Sequence, residues 1–158
     1  MNHSGSARYE VISMLKELGN KHGVCINYDG CVGNVNVTMS EDYLRQILYN
    51  IIKNSIEVSY EGDMVDIIVK NRNNRMTVIV SDQGRGMSEA LQLKIFDPFF
   101  TTKNKNSDSG LGLGLSTTRT IAESMGGFVE CSSEEGKETD FIIDLPVNFI
   151  IEKNNCSQ

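Results

Sequence analysis

The chain has little of several things, and each shortage narrows what it can be. It has no excess of positive charge: 15 Lys and Arg stand against 21 Asp and Glu, a formal net charge of −6. No basic stripe is available for a phosphate backbone, which argues against nucleic acid as a partner but not against one small anion held in a local pocket. The four cysteines (Cys25, Cys31, Cys131, Cys156) form no C-x-x-C pair and no zinc-like spacing. Reduced thiols in a cytoplasmic protein are the simplest account. No apolar run approaches transmembrane length and no signal peptide is evident, although a longer parent protein could carry a membrane anchor. Proline is scarce, with two in 158 residues, while 39% of residues are hydrophobic and 23% charged. That is the composition of one folded domain with a single core rather than of a disordered chain.

Periodicity divides the chain into short elements. Met1–Ala7 has no pattern and reads as a leader, residues 8–147 as the folded domain, and residues 148–158 as a tail of marginal structure. An amphipathic helix is expected from about Arg8 to His22, with Val11, Ile12, Leu15 and Leu18 on one face. Strands follow around Val24–Tyr28 and Val35–Thr38. Ser40 caps a second helix running to about Tyr60, with Glu41 and Asp42 in its first turn. Met64–Lys70 and Met76–Asp82 alternate as a hairpin around Asn71-Arg72-Asn73-Asn74. A short helix is expected at Ser88–Ile95, then a polar segment from Asp97 to Gly110. An apolar-periodic helix spans Leu115–Met125, stopped by Gly126-Gly127, and a last hairpin joins Phe128–Ser133 to Asp140–Leu145. These elements predict an α+β fold: a two-layer sandwich with a mixed, mostly antiparallel sheet and helices on one face.

Four constellations carry candidate chemistry. Gly110-Leu111-Gly112-Leu113-Gly114-Leu115 places three glycines at alternate positions before a helix. Glycine lets several backbone N–H groups converge, and the first helical turn leaves its donors unpaired, so the segment can cradle phosphate oxygens. Its G-x-G-x-G spacing matches neither the dinucleotide fingerprint nor the P-loop. A flexible loop entering a helix remains the plainer alternative.

On the second helix, Leu44, Ile47, Leu48, Ile51, Ile52, Ile56 and Val58 share an apolar arc, while Asn50, Asn54 and Glu57 line up on the opposite side. Asn gains nothing mid-helix, but its carbonyl oxygen suits Mg²⁺ that keeps phosphate and water as other ligands. A solvated stripe is the equal alternative. Asp82-Gln83-Gly84-Arg85-Gly86 ends an alternating strand, where a carboxylate can accept a hydrogen bond from a ligand amine while glycines admit it closely, or where a turn simply forms. In Phe96-Asp97-Pro98-Phe99-Phe100-Thr101-Thr102-Lys103, the phenylalanines look like anchors of a mobile cover and Lys103 like a cation able to reach a terminal phosphate.

The order of these segments resembles the N, G1, F and G2 boxes of sensor histidine kinases, a branch of the ATP-binding fold shared with gyrase, Hsp90 and MutL. Gly126-Gly127, Gly136-x-x-Thr139-x-Phe141 and Leu145-Pro146 extend the resemblance to about Val11–Val147. The resemblance implies that Asp82 binds the adenine amino group with Thr139 assisting through water, and that Asn54 ligates Mg²⁺. It places Asn50 beside the phosphates and Gly84 and Gly86 around the pocket. It makes Asp97–Ser109 an ATP lid, with Lys103 reaching the terminal phosphate, and Gly110, Leu111, Gly112, Leu113, Gly114 and Leu115 the phosphate cradle. Asn50 and Lys103 would then serve the transfer step.

Two departures matter: Glu57 stands where many members are basic, and Asn50 stands where gyrase-like ATPases carry a glutamate base. Asn cannot deprotonate water, which suits phosphoryl transfer over hydrolysis. The acceptor is missing, since neither His3 nor His22 has the expected acidic neighbour. The implied partners are therefore a histidine-containing dimerisation domain of the same kinase and a response regulator downstream, with this chain monomeric and its parent a homodimer. The rival readings are an anti-sigma-type protein-serine kinase and a nucleotide-gated interaction module.

Overall fold

In the computed structural model the backbone is described over residues 4–29, 35–36, 41–100, 114–146 and 148–149. The elements in chain order are α1 (Ser4–Lys21), β1 (Cys25–Asp29), β2 (Val35–Asn36), α2 (Glu41–Val58), β3 (Met64–Arg72), β4 (Arg75–Asp82), α3 (Glu89–Gln92), α4 (Gly114–Ser124), β5 (Phe128–Ser133), β6 (Thr139–Pro146) and β7 (Asn148–Phe149). Five strands form one sheet in the order β1-β3-β4-β6-β5. Only β1 and β3 run parallel, and α2 lies within the crossover that a parallel pair requires. The other pairings are antiparallel.

Period-2 burial decides which face of the sheet is covered. Met76, Val78, Val80 and Asp82 of β4 are buried, and their β6 neighbours Leu145, Ile143, Phe141 and Thr139 are buried with them. The intervening Thr77, Ile79 and Ser81 stay half-exposed on the other face. Against the covered face α2 packs on β3 and β4, and α4 packs on β5 and β6. The predicted arc of α2 is that contact: Leu44, Ile47, Leu48, Ile51, Ile52 and Ile56 are all buried, and Val58 is half-buried. At roughly 1.5–3 kcal/mol for each large aliphatic side chain, this helix supplies much of the burial that holds the two layers together.

The predicted α+β sandwich is thus present, with several boundaries moved. Helix α1 begins at Ser4, inside the segment expected to be a patternless leader. The α3 segment is shorter than Ser88–Ile95: Ser88 is its N-cap, and the Ser88 hydroxyl accepts from Leu91 N at 3.2 Å. The β3–β4 turn narrows to Asn73-Asn74, both at positive φ (52° and 58°), as a two-residue primed turn requires. Part of the expected marginal tail is paired: Asn148–Phe149 runs antiparallel to Val35–Asn36. Ser40 lies outside the described residues. Helix α4 stops where expected, with Gly126 at φ 79° and Gly127 N donating to Ala122 O at 2.9 Å. Among the described residues no helix is long and apolar enough to cross a membrane.

Candidate functional site

Asp82 lies at the last position of β4, the central strand, where the buried row of alternating side chains reaches the strand end. It is 1% exposed, yet every other member of its row on β4 is apolar. One carboxylate oxygen, Oδ1, accepts from Gly84 N at 2.9 Å. The other, Oδ2, is buried with no hydrogen-bond partner. A buried acceptor left unpaired is costly, so an orphaned oxygen at a strand end points to a donor supplied from outside. Burial pushes the Asp82 carboxyl up to about 6, against the lowering effect of hydrogen bonds from Gly84 and Ser55; Asp140 and Asp63 add smaller upward pushes.

Ser55 also belongs to this corner, though residue order alone does not mark it. It sits one residue after Asn54, on the inward side of α2, and is fully buried. Its hydroxyl is near enough to Asp82 to favour the ionised carboxylate, though the two fall short of a well-formed hydrogen bond. The only signal for it in the sequence is a hydroxyl residue among Ile51, Ile52 and Ile56. Thr139, predicted to assist Asp82, is its direct cross-strand neighbour and is buried. Thr139 Oγ1 lies 2.7 Å from Ser133 Oγ, which also accepts from Met87 N at 2.9 Å. Gln92 then ties this corner to α3, donating to Met87 O and Ser133 O.

Gly84 and Gly86 are closed in for different reasons. A Cβ on Gly84 would lie 2.9 Å from both Asp82 Oδ1 and Val58 O, at the edge of the carboxylate. Gly86, at φ 66°, would carry a Cβ 1.9 Å from Glu134 O. Its freedom is needed to pass the β5–β6 turn, where Gly136 N donates to Arg85 O at 2.8 Å.

The opposite end of the site is where α2 meets α4. Asn50 Nδ2 donates to Gly114 O at 3.2 Å and to Thr118 Oγ1 at 3.3 Å. The last of the three glycines is therefore against the N-terminal half of the asparagine pair. Asn54, one turn further along α2, is half-buried and makes no hydrogen bond among the described residues. Glu57 continues the stripe and faces Lys53 at 3.8 Å. Among the described residues no group of three or more His, Cys, Asp or Glu could hold a metal ion; the Asn50 and Asn54 amides carry oxygens of the kind that Mg²⁺ accepts. Leu115 is half-buried in the first turn of α4. Thr101, Thr102, Lys103 and Gly110, Leu111, Gly112 and Leu113, together with the predicted lid after Phe100, lie outside the described residues.

The expectation for the phenylalanines needs one correction. Phe96 packs edge-to-face on Phe141 with centroids 6.5 Å apart, and the Arg119 guanidinium lies 5.4 Å over its ring. Phe100 also joins the core margin. Phe99 does not: it is 71% exposed, with φ 64°. Phe99 thus has its backbone in the left-handed region and its ring out of the protein, so of the three only Phe96 and Phe100 pack on the core.

Residues 39–148 match the family described as histidine kinase-, DNA gyrase B-, and HSP90-like ATPase. Sporulation kinase A of Bacillus subtilis (strain 168) is 34% identical over 137 residues, covering 87% of this chain and 22% of that relative. Sensor protein DegM of Bacillus sp. (strain B21-2) is 32% identical over 153 residues, covering 97% of this chain and 39% of the relative. The chain thus spans 22–39% of the length of these curated relatives. Among solved structures, the nucleotide-free catalytic domain of histidine kinase ThkA gives a TM-score of 0.78 at 29% identity, covering 92% of this chain and 93% of that one. Full-length ShkA in complex with AMPPNP, at 24% identity, shares the fold with a TM-score of 0.79 over 95% of this chain and 31% of its own. A family match across most of the chain, on a fold shared with histidine kinase catalytic domains, shows that the chain belongs to the histidine kinase-, DNA gyrase B- and HSP90-like ATPase family.

Proposed function

We propose that the chain is the ATP-binding catalytic domain of a sensor histidine kinase, residues 8–147 forming the unit that binds Mg·ATP and donates its γ-phosphate to a histidine on a separate dimerisation domain. The observation that carries this reading is the orphaned Oδ2 of buried Asp82, opposite Thr139 at the strand end that Gly84 leaves open. In this reading Oδ2 accepts from the adenine amino group, with Ser55 and Thr139 contributing through water. At the other end, Asn54 has an uncommitted side-chain oxygen suited to Mg²⁺, which neutralises phosphate charge when bound. Asn50 stands beside it, next to the helix start that offers backbone N–H groups at Gly114 and Leu115. Lys103 and Gly110, Leu111, Gly112 and Leu113 complete the lid and cradle as the sequence resemblance implies.

The chain's own residues favour transfer over hydrolysis. Asn50 offers no base to activate water, and its amide nitrogen is occupied by Gly114 O and Thr118 Oγ1. Donor and acceptor are brought in line by docking a second domain, which positions the incoming histidine. Leu93 (83% exposed) and Phe99 (71%) are exposed large apolar side chains, just before and within the predicted lid, and Phe99 is our candidate contact for that docking. A response regulator would receive the phosphoryl group afterwards, the parent acting as a homodimer in the cytoplasm or at the membrane. Incubating the chain with Mg·ATP and its dimerisation domain should yield acid-labile phosphohistidine on that domain. Phosphoserine on a regulatory protein would sink the kinase assignment in favour of a serine kinase, and bound ATP with no transfer would favour a nucleotide-gated module.

A further inference from the structure

We propose that Thr118 is a positioning residue that fixes the Asn50 amide so that its carbonyl oxygen, not its nitrogen, faces the metal and phosphates; this deepens the ATP-site reading above and rests on it. The geometry is a chain of donor polarity. Thr118 is fully buried in the second turn of α4. Its hydroxyl has one proton, which it gives to Gly114 O at 2.8 Å. Towards Asn50 it can therefore present only a lone pair. Gly114 O is likewise an acceptor. Both atoms facing Asn50 thus demand a donor, and only the NH₂ end of the amide is one.

A flipped amide would put Oδ1 against two acceptors and lose two hydrogen bonds, a bias on the order of tenfold or more. Without the hydroxyl, Gly114 O alone would hold the orientation. Asn50 Oδ1 would then spend part of its time turned away from the site. Thr118 itself needs no contact with nucleotide. The arrangement also joins α2, which carries both asparagines, to the start of the cradle, so amide orientation and helix placement are fixed by the same three groups.

The test compares Thr118→Val, which keeps the shape and removes the hydroxyl, with Thr118→Ser, which keeps the hydroxyl. Two readouts are used: the Asn50 side-chain NH₂ resonances in nucleotide-free chain, and ATP affinity by calorimetry with Mg²⁺ and with EDTA. In Thr118→Val the Asn50 amide protons should shift towards the values of a solvent-exposed amide, and ATP affinity should fall about fivefold to tenfold in Mg²⁺ but little in EDTA. Thr118→Ser should restore both. Unchanged Asn50 resonances in Thr118→Val would overturn the proposal, as would an equal loss of affinity with and without metal. Should Thr118→Val fail to fold, Thr118→Ala replaces it under the same criteria. Parallel measurement of Asp82→Asn separates the two failures: if it binds ATP as the unaltered chain does, the ATP-site reading falls, while the resonances still report the amide orientation.

Discussion

A carboxylate with one oxygen paired and the other orphaned in the protein interior destabilises the chain that carries it. The Asp82 pKa, raised to about 6, expresses that cost. Between the ordinary carboxylate value and about pH 6, the native state holds a proton that the unfolded chain has already released. Stability therefore falls as pH rises through this window, by roughly 3 kcal/mol at most, and the loss is complete above it. Asp82→Asn keeps an oxygen for Gly84 N and removes the buried charge. Its Tm should exceed that of the unaltered chain at pH 8, and the gap should close by pH 4. The same variant should bind ATP at least about tenfold more weakly, as expected for loss of a charge-assisted hydrogen bond. A scanning calorimetry series over pH with one titration at pH 8 checks both. Ser55 sets the position of this window. Ser55→Ala removes a nearby hydroxyl that favours the ionised form, so the midpoint of the fall in ATP affinity on acidification should move to higher pH. A midpoint that stays in place would show that Ser55 does not reach the carboxylate.

The elements most legible from residue order were those in which one periodicity dominates. Helix α2 was readable because its aliphatic residues recur on one arc, and β3, β4 and β6 because burial alternates along them. Asp82 was readable for a similar reason, as a charge closing an alternating strand. Ser55 and Thr118 were not, because each acquires its contact only on packing: α2 on β4 sets Ser55 against Asp82, and α2 on α4 sets Thr118 against Asn50. The two-residue β7 carries too little pattern to show a partner, and its pairing with β2 is a tertiary fact. Phe99 misled because an aromatic beside Phe96 and Phe100 looks buried, whereas its ring lies out of the protein. The end of α4 offers a test at this scale. A Cβ on Gly127 would lie 2.1 Å from Asp144 O, on the strand residue whose carboxylate holds Arg75 and Thr77. Arg75 also reaches Gly126 O at 3.3 Å, so the helix end and the sheet are clamped together. Gly127→Ala should lower stability by about 2 kcal/mol or more, with urea denaturation as the measurement.

At the scale of the whole molecule, Phe99 bears on the docking of a second domain proposed above. A bulky residue in the left-handed region costs on the order of 1–3 kcal/mol, and such strain persists where another function requires it. Phe99 combines that backbone with a ring 71% exposed. Phe99→Gly should therefore leave ATP affinity unchanged and raise Tm, while slowing phosphoryl transfer to the dimerisation domain severalfold. An unaltered transfer rate would remove Phe99 from the docking surface.

The pairing of Asp82 with Thr139 has a kinetic consequence. These two residues end β4 and begin β6, on either side of the long 83–138 connection, which contains α3, α4 and β5. Their meeting closes the shortest loop in the β4–β6 ladder, yet it still joins residues far apart in the chain, a non-local contact with a high entropic cost. On the proposed reading, in which nucleotide engages both residues, it binds only after that closure. It would therefore act as a latch on the finished protein, prolonging the folded lifetime while leaving the rate of folding almost untouched.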